Sequence, residues 1–204
     1  MKNNAVIIDY GMGNIKSLEN LIKKCNFDLK VSTNKKVINN SDLIILPGVG
    51  NFGKAVENLK KKKIFKFIKI KILKDKVPTI GICLGMHLFF KKSEENKSEN
   101  GLNIFNYKIE ALRKYNTGWA KIKTQKKLKE EDFNFDSNYY YFNHKYALLK
   151  KFKYTKSFVS NLYPANAIIL KKNIIGFQFH PEKSQKSGEK VFKYFLKSKF
   201  GFDV

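Results

Sequence analysis

A cysteine bracketed by glycines follows directly on a short apolar run, and this arrangement most constrains the fold. The run extends from Val77 to Ile82 and leads into Gly81-Ile82-Cys83-Leu84-Gly85. A nucleophile on a sharp strand-to-helix turn needs small neighbours, because larger side chains would crowd the turn. Amides at the start of the next helix would favour the thiolate form of the cysteine. The motif therefore predicts a strand that ends at Cys83 and a helix that begins there.

A second motif, near the end of the chain, supplies the groups that such a cysteine requires. Residues 177–184 read Phe-Gln-Phe-His-Pro-Glu-Lys-Ser and end an apolar strand-like run. Pro181 favours a turn that lets Glu182 fold back on the imidazole of His180. A cysteine, a general base and an acid that orients the base form a thiol acyl-transfer site. Cys83, His180 and Glu182 are therefore the candidate catalytic residues, although a cysteine alone is more often a buried structural residue.

The first half of the chain alternates predicted strands and helices. We expect strands at 5–9, 29–32, 42–46 and 78–82, and helices at 15–24 and from the fifties to the low seventies. The expected inward side chains of the second helical stretch are Leu59, Ile64, Phe67, Ile68 and Leu73. This alternation predicts parallel strands with helices on both faces. Catalytic residues on such sheets lie at the carboxyl ends of the strands, where Pro47, Cys83 and His180 fall.

The second half is typical of a mixed or antiparallel extension of the sheet. Short strands are expected at 107–111, 120–123, 139–142, 158–161, 167–170 and 174–179, with charged loops at 91–100 and 126–132. A helix over 187–200 closes the chain, with Val191, Phe192, Phe195 and Leu196 inward and Gly201 as its C-cap. The chain lacks a linker or repeat, so we expect one α/β domain over residues 1–204.

The composition is strongly basic, with a formal net charge of +24 at pH 7. Almost all of this charge comes from lysine, and Arg113 is the sole arginine. Nucleic-acid sites favour arginine for bidentate contacts, and the basic residues here are scattered without a binding motif. We therefore expect no nucleic-acid partner and attribute the charge to compositional drift. A generally positive surface that attracts a phosphorylated substrate to a partner enzyme is the remaining functional interpretation.

Cysteine content and hydropathy constrain the cellular compartment that we expect for the protein. The apolar runs are too short to cross a membrane, and the N-terminus lacks the cleavage region of a signal peptide. A nucleophilic Cys83 must stay free, so Cys25 has no disulfide partner and a reducing cytoplasm is expected. The spacing of histidines and acids matches no metal-ligand pattern, and we expect neither a metal nor a cofactor.

Pro47-Gly48-Val49-Gly50 is either a plain turn or a donor loop for a developing oxyanion. In the second case amides of Val49 and Gly50 act with the amide of Leu84, and such a donor lowers a barrier by roughly 3–4 kcal/mol. His87, one helical turn after Cys83, could face the same pocket. His144, as a lone residue, would more often be structural.

The chain resembles the class I (triad) glutamine amidotransferases, and among them the family of glutaminase subunits of imidazole glycerol phosphate synthase. The resemblance covers nearly the whole length. Its motifs are Asp9 to Asn14, Leu46 to Phe52, Gly81 to Met86, Gly118-Trp119, Tyr140 to His144 and Gly176 to Ser184.

The resemblance implies a flavodoxin-like α/β fold and hydrolysis of the glutamine side-chain amide through a thioester on Cys83. It implies that ammonia passes to an obligate synthase subunit, a (β/α)₈ cyclase barrel of histidine biosynthesis. Substrate would contact His87, Glu95, His144 and Lys145, and the partner would contact Asn14, Trp119, Tyr141 and Lys183. The family usually has low activity until the partner's substrate rearranges the strand at Pro47–Gly50.

Three departures from the family pattern involve the expected binding and interface residues. His87 replaces a glutamine that helps hold the substrate, and imidazole can carry charge near pH 6–7, so we expect weaker glutamine binding. Tyr115, Asn116 and Thr117 replace Pro-His-Met at the interface, and Lys145 replaces a small hydroxyl residue. Two alternatives therefore remain: a paralogous subunit that supplies a sugar amidotransferase of cell-surface amino-sugar biosynthesis, or a catalytically silent regulatory subunit.

Overall fold

The computed structural model describes residues 2–124, 135, 138–162 and 164–204. The expected loop at 126–132 lies outside these residues. The first half contains β1 (Asn3–Ile7), α1 (Ile15–Ile22), β2 (Phe27–Val31), α2 (Lys35–Asn39), β3 (Leu43–Leu46), α3 (Phe52–Lys61), α4 (Phe65–Leu73), β4 (Thr79–Ile82) and α5 (Leu84–His87). The second half contains β5 (Phe90–Ser93), β6 (Phe105–Thr124), β7 (Tyr139–Ala147), β8 (Thr155–Val159), β9 (Asn166–Lys171), β10 (Ile174–Phe177), a 3₁₀ turn (Pro181–Lys183) and α6 (Gln185–Phe200).

The strands form a mixed sheet in the order β2-β1-β3-β4-β10-β9-β8-β6-β5, with β7 paired to β6. The strands from β2 to β10 in this order are parallel, and β9, β8 and β6 then follow in antiparallel pairing. The predicted α/β class, with a mostly parallel centre and an antiparallel extension, is confirmed.

Helices cover both faces of the parallel strands, as the continuous apolar strands predict. In β3, Leu43 and Ile45 face one core together with residues of α1 and α6. Ile44 and Leu46 face the second core, against residues of α3, α4 and α5. The carboxyl ends of β3, β4 and β10 therefore lie side by side between two packed layers.

The closing helix matches its prediction closely. Its four expected inward residues are all buried. Gly201 caps the helix at φ 72°, a left-handed conformation that glycine adopts without strain.

Two expectations about secondary structure and one about burial are wrong. The strands expected at 107–111 and 120–123 are one long strand, β6, whose pairing with β7 shifts register between Ala111 and Asn116. Residues 91–93 belong to β5 rather than to a loop, because β5 pairs with β6 and buries Ser93. Leu73 is 43% exposed, because α4 turns Lys71 inward.

The buried ammonium of Lys71 is compensated by two partners. It contacts Asp75 at 3.0 Å and the side-chain oxygen of Asn39 at 3.3 Å. A buried charge is tolerated when it is paired and hydrogen-bonded in this way.

Candidate active site

Cys83 lies on a strained turn between β4 and α5. Its φ is 50° and its ψ is −106°, a conformation that a residue with a side chain rarely adopts. Its backbone N–H donates to the carbonyl of Phe177 at 2.7 Å, which ties the turn to β10. The strain is held in place by packing on both sides, a pattern that is common at functional sites.

The flanking glycines are required by close backbone contacts. A Cβ on Gly85 would lie 2.0 Å from the carbonyl oxygen of Leu46, and one on Gly81 would lie 2.7 Å from the carbonyl carbon of Gly85. Gly48, in the neighbouring loop, would meet the amide nitrogen of Gly85 at 2.3 Å. The glycines therefore let the helix start pack directly on β3 and on the loop after it.

His180 and Glu182 form a buried pair beside Cys83. Nδ1 of His180 lies 2.8 Å from Oε1 of Glu182, and both side chains are almost fully buried. On the other side of the pair, Cys83 interacts with His180 through its charge and through a side-chain hydrogen bond. The pair leaves Nε2 as the ring nitrogen that can exchange a proton with the sulfur.

Ser184 holds the turn that carries His180. Its hydroxyl donates to the carbonyl of His180 at 2.6 Å and accepts from the backbone N–H of Tyr141 at 2.9 Å. The N–H of His180 donates in turn to the carbonyl of Tyr141 at 2.9 Å. These bonds fix the imidazole against β7.

The charge of the site favours an imidazolium. Burial opposes the charged ring, but Cys83 and Glu182 more than offset this effect and raise the pKa of His180 to about 10. A cationic His180 next to Cys83 favours the thiolate, which is the nucleophilic form of cysteine.

A cavity of about 300 Å³ opens in front of Cys83. All seven residues that were expected to bind substrate or stabilise an oxyanion line it together with the sulfur: Val49, Gly50, Leu84, His87, Glu95, His144 and Lys145. Tyr115, Asn143 and Tyr146 complete the lining. Five separate stretches of the sequence thus converge on one pocket.

His87 does not carry the charge that an imidazole can take on near pH 6–7. Burial lowers the pKa of His87 to about 4, and a hydrogen bond with Gln178 offsets this only in part. His87 is therefore neutral at physiological pH.

His144 is fixed as a neutral tautomer. Burial, with a contribution from His87, lowers its pKa to about 3. Its Nδ1 donates to the carbonyl of Tyr146 at 3.0 Å, and its Nε2 accepts from the amide of Asn116 at 2.9 Å. His144 therefore supports the pocket wall as well as lining it.

Glu95 connects the pocket to the start of α3. Its carboxylate accepts the backbone N–H of Phe52 at 2.8 Å. Burial raises the pKa of Glu95, while its bonds with Phe52 and Asn51 act in the opposite direction. The carboxylate is only half-buried and faces the cavity.

The sequence interpretation missed two buried polar groups. Gln178 is fully buried, contacts Nε2 of His87 at 2.8 Å and directs its amide nitrogen to the sulfur of Cys83 at 3.7 Å. Tyr10 is fully buried, and its hydroxyl donates to the carbonyl of Pro47 in the loop that carries Val49. A polar residue within the apolar run before His180 was the signal for Gln178.

The four expected interface residues lie outside the cavity. Trp119 is 47% exposed and packs edge-on against Tyr141 at a centroid distance of 6.0 Å. The ammonium of Lys183 lies 5.7 Å from the centre of the Tyr141 ring. Asn14 caps α1 by accepting the N–H of Ser17. Trp119, Tyr141 and Lys183, hereafter the aromatic patch, are thus contiguous.

Two features are absent from the part of the chain that the structure describes. No group of three or more histidine, cysteine or acidic side chains there could hold a metal ion. No helix there is long and apolar enough to span a membrane.

Comparison with known proteins identifies the family. The sequence model of the class-I glutamine amidotransferases matches residues 6–198. A protein of Methanococcus maripaludis, named imidazole glycerol phosphate synthase subunit HisH 2, is 36% identical over 94% of this chain and 98% of its own length. The subunit HisH of Caldanaerobacter subterraneus subsp. tengcongensis is 40% identical over 93% of this chain and 95% of its own length.

Solved structures agree on the fold. A glutamine amidotransferase crystal structure aligns with a TM-score of 0.75 at 14% identity, covering 94% of this chain and 97% of its own. A chain of PurLQS from Thermotoga maritima aligns with a TM-score of 0.73 at 18% identity, covering 97% and 99%. With its sequence, its fold and a cysteine elbow beside a buried His-Glu pair all in agreement, the chain belongs to the class-I glutamine amidotransferase family.

Proposed function

We propose that this protein is the glutaminase subunit of an imidazole glycerol phosphate synthase, with Cys83, His180 and Glu182 as its triad. The observation that carries the proposal is the cavity that the sulfur of Cys83 shares with residues suited to binding an amino acid. The relatives named as subunits of imidazole glycerol phosphate synthase align with this chain over nearly their whole length. This supports the proposed function over that of a sugar amidotransferase subunit.

The pocket offers a charge partner for each end of the substrate backbone. The carboxylate of Glu95 binds the α-ammonium group of glutamine, and the ammonium of Lys145 binds its α-carboxylate. Lys145 is exposed at the cavity mouth and adds a positive charge that the family pattern lacks there. The side-chain amide then extends towards Cys83.

The reaction proceeds by acyl transfer. The thiolate of Cys83 attacks the amide carbon, and the backbone amides of Leu84, Val49 and Gly50 stabilise the oxyanion. His180 protonates the departing nitrogen, so ammonia leaves and a thioester forms. Water then attacks the thioester, His180 accepts its proton, and glutamate is released. Glu182 keeps the imidazole oriented throughout.

The ammonia passes to a synthase subunit that uses it for cyclisation. We place the partner, a (β/α)₈ barrel, on the aromatic patch, because this surface is exposed and adjoins His180 through Tyr141. The single domain over residues 1–204 works in the cytoplasm, where Cys83 stays reduced.

An electrophilic glutamine analogue tests the triad. We expect covalent labelling of Cys83, detected by peptide mass spectrometry, and no labelling of Cys25, which is buried and whose pKa burial raises to about 11. Absence of label at Cys83 in the presence of the partner would refute the triad and favour the silent regulatory alternative.

Co-expression with the cyclase subunit from the same genome tests the partner. We expect a heterodimer whose glutaminase activity rises when the cyclase substrate is added. A Trp119→Ala variant should weaken the heterodimer, whereas Ile70→Ala, at an exposed position on α4, should not. A sugar amidotransferase that forms the complex instead, or full activity without any partner, would contradict the proposal.

A further inference from the structure

A chain of two buried side chains ends on the sulfur of the nucleophile. Nε2 of His87 lies 2.8 Å from Oε1 of Gln178, and Nε2 of Gln178 lies 3.7 Å from Sγ of Cys83. His87 is 4% exposed and Gln178 is fully buried. The contact with sulfur lies within hydrogen-bond reach of this large atom. Neither residue belongs to the triad.

The backbone holds all three residues in register. The N–H of His87 donates to the carbonyl of Cys83 at 3.0 Å, one turn of α5 earlier. The N–H of Cys83 donates to Phe177, the residue before Gln178. The N–H of Gln178 donates to Ala167 of β9 at 2.9 Å, which continues the β9–β10 ladder. The chain of side chains therefore rests on rigid elements.

The direction of the hydrogen bonds follows from the chemistry of the groups. A carboxamide oxygen can only accept, so Nε2 of His87 must carry the hydrogen that it shares with Gln178. Burial lowers the pKa of His87 to about 4, and one tautomer of the neutral ring provides this donor. The amide NH₂ of Gln178 is thereby turned towards Cys83, and its hydrogen favours negative charge on sulfur.

We propose that His87 and Gln178 are positioning residues that present an amide N–H to the sulfur of Cys83 and so stabilise its thiolate. This inference rests on the proposed triad. It adds a second group that stabilises the thiolate, a hydrogen-bond donor held in place by α5 and β10. His180 supplies charge, whereas Gln178 supplies a neutral hydrogen bond. His87 acts through Gln178 and sets which end of the amide faces the sulfur.

Other ionisable groups also lie close to Cys83 or to its neighbours. His180 approaches from the turn after β10 and carries Glu182 behind it. Tyr10 approaches from the loop after β1 and interacts with the sulfur through its charge. His144, on β7, interacts with His87 and His180. Gln178→Leu leaves all of these residues unchanged, whereas the His87 variants also remove a group that acts on His144.

The rate of Cys83 alkylation by iodoacetamide, measured from pH 5 to 10 with peptide mapping, tests the proposal. We expect Gln178→Leu to alkylate about three- to tenfold more slowly than the wild type near pH 6, with the rates converging at high pH. A tenfold change corresponds to about one pKa unit of the thiol. His87→Leu should show the same shift, and His87→Gln, whose amide can still donate to Gln178, should restore most of the wild-type profile.

Ser41→Ala is the control, since it removes a buried hydrogen-bonding group just before the amino end of β3, away from Cys83. We expect its alkylation profile to stay within about twofold of the wild type. If Gln178→Leu fails to fold by circular dichroism, the comparison of His87→Leu with His87→Gln decides. Identical profiles for these two and the wild type overturn the inference, while no alkylation of wild-type Cys83 at any pH overturns the triad itself.

Discussion

The substitution Tyr10→Phe removes one oxygen atom from a fully buried residue and leaves the ring in place. The hydroxyl of Tyr10 donates to the carbonyl of Pro47, at the start of the loop that carries Val49 and Gly50. Burial, with a smaller contribution from Cys83, raises the pKa of Tyr10, so the hydroxyl keeps its proton at every working pH. The substitution therefore removes a donor that is always protonated and leaves the buried carbonyl of Pro47 without this hydrogen bond.

The expected cost follows from the desolvation of that carbonyl. A buried acceptor that loses its partner costs about 1–3 kcal/mol. For a chain of this size each kcal/mol lowers the midpoint of thermal unfolding by about 2–4 °C, so we expect a fall of about 2–12 °C. The loop also loses an anchor, and a misplaced oxyanion donor should lower kcat about tenfold, less than the loss of a donor outright.

Thermal unfolding by circular dichroism and glutaminase kinetics of the assembled enzyme measure the two effects. Tyr139→Phe serves as the control for unfolding, because Tyr139 is 52% exposed and its hydroxyl can be solvated. An unfolding midpoint and a kcat for Tyr10→Phe that both match the wild type would refute the role assigned to this hydroxyl.

Three further substitutions have defined outcomes. Glu182→Gln should lower kcat less than Cys83→Ala or His180→Ala, because Glu182 orients the base rather than reacting; an equal loss would point to a direct role. Cys83→Ala should lower the pKa of His180 from about 10, since the sulfur raises it, and NMR titration of the ring measures this. The raised pKa of His180 stabilises the folded protein fully below the ordinary value of 6.5, and this stabilisation is lost as the pH rises through about 10. The free energy of unfolding of the wild type should therefore fall more than that of Cys83→Ala between these pH values. Parallel plots of unfolding free energy against pH would contradict the coupling. Lys145→Met should raise KM for glutamine about three- to tenfold with little change in kcat, as expected for a group that binds substrate and transition state alike; an unchanged KM would show that Lys145 does not reach the α-carboxylate.

The parts of the fold that follow from local pattern were predictable. Gly201 ends α6 because only glycine adopts the cap conformation at no cost. The apolar continuity of β3 and β4 indicated strands buried on both faces. The elbow at Cys83 was predictable because its two glycines serve a contact that any larger side chain would block.

The remaining features depend on contacts between distant segments. Residues 112–119 are polar at many positions and exposed on one face, so β6 resembles two strands in sequence although it pairs along most of its length. The alternating lysines and apolar residues of α4 do not define one apolar helix face. The inward orientation of Lys71 depends instead on its contacts with Asp75 and Asn39. The neutral state of His87 depends on its burial in the folded protein, and its hydrogen-bond partner Gln178 lies 91 positions away in the sequence.

Trp119 is the single tryptophan of the chain, and it lies 47% exposed on the aromatic patch. Its indole emission, excited selectively at the red edge where the ten tyrosines do not absorb, therefore reports on this surface alone. Any protein that docks there should shift the emission to shorter wavelength and protect the ring from soluble quenchers. The chain thus carries a built-in optical probe, and titrations of assembly need no added label.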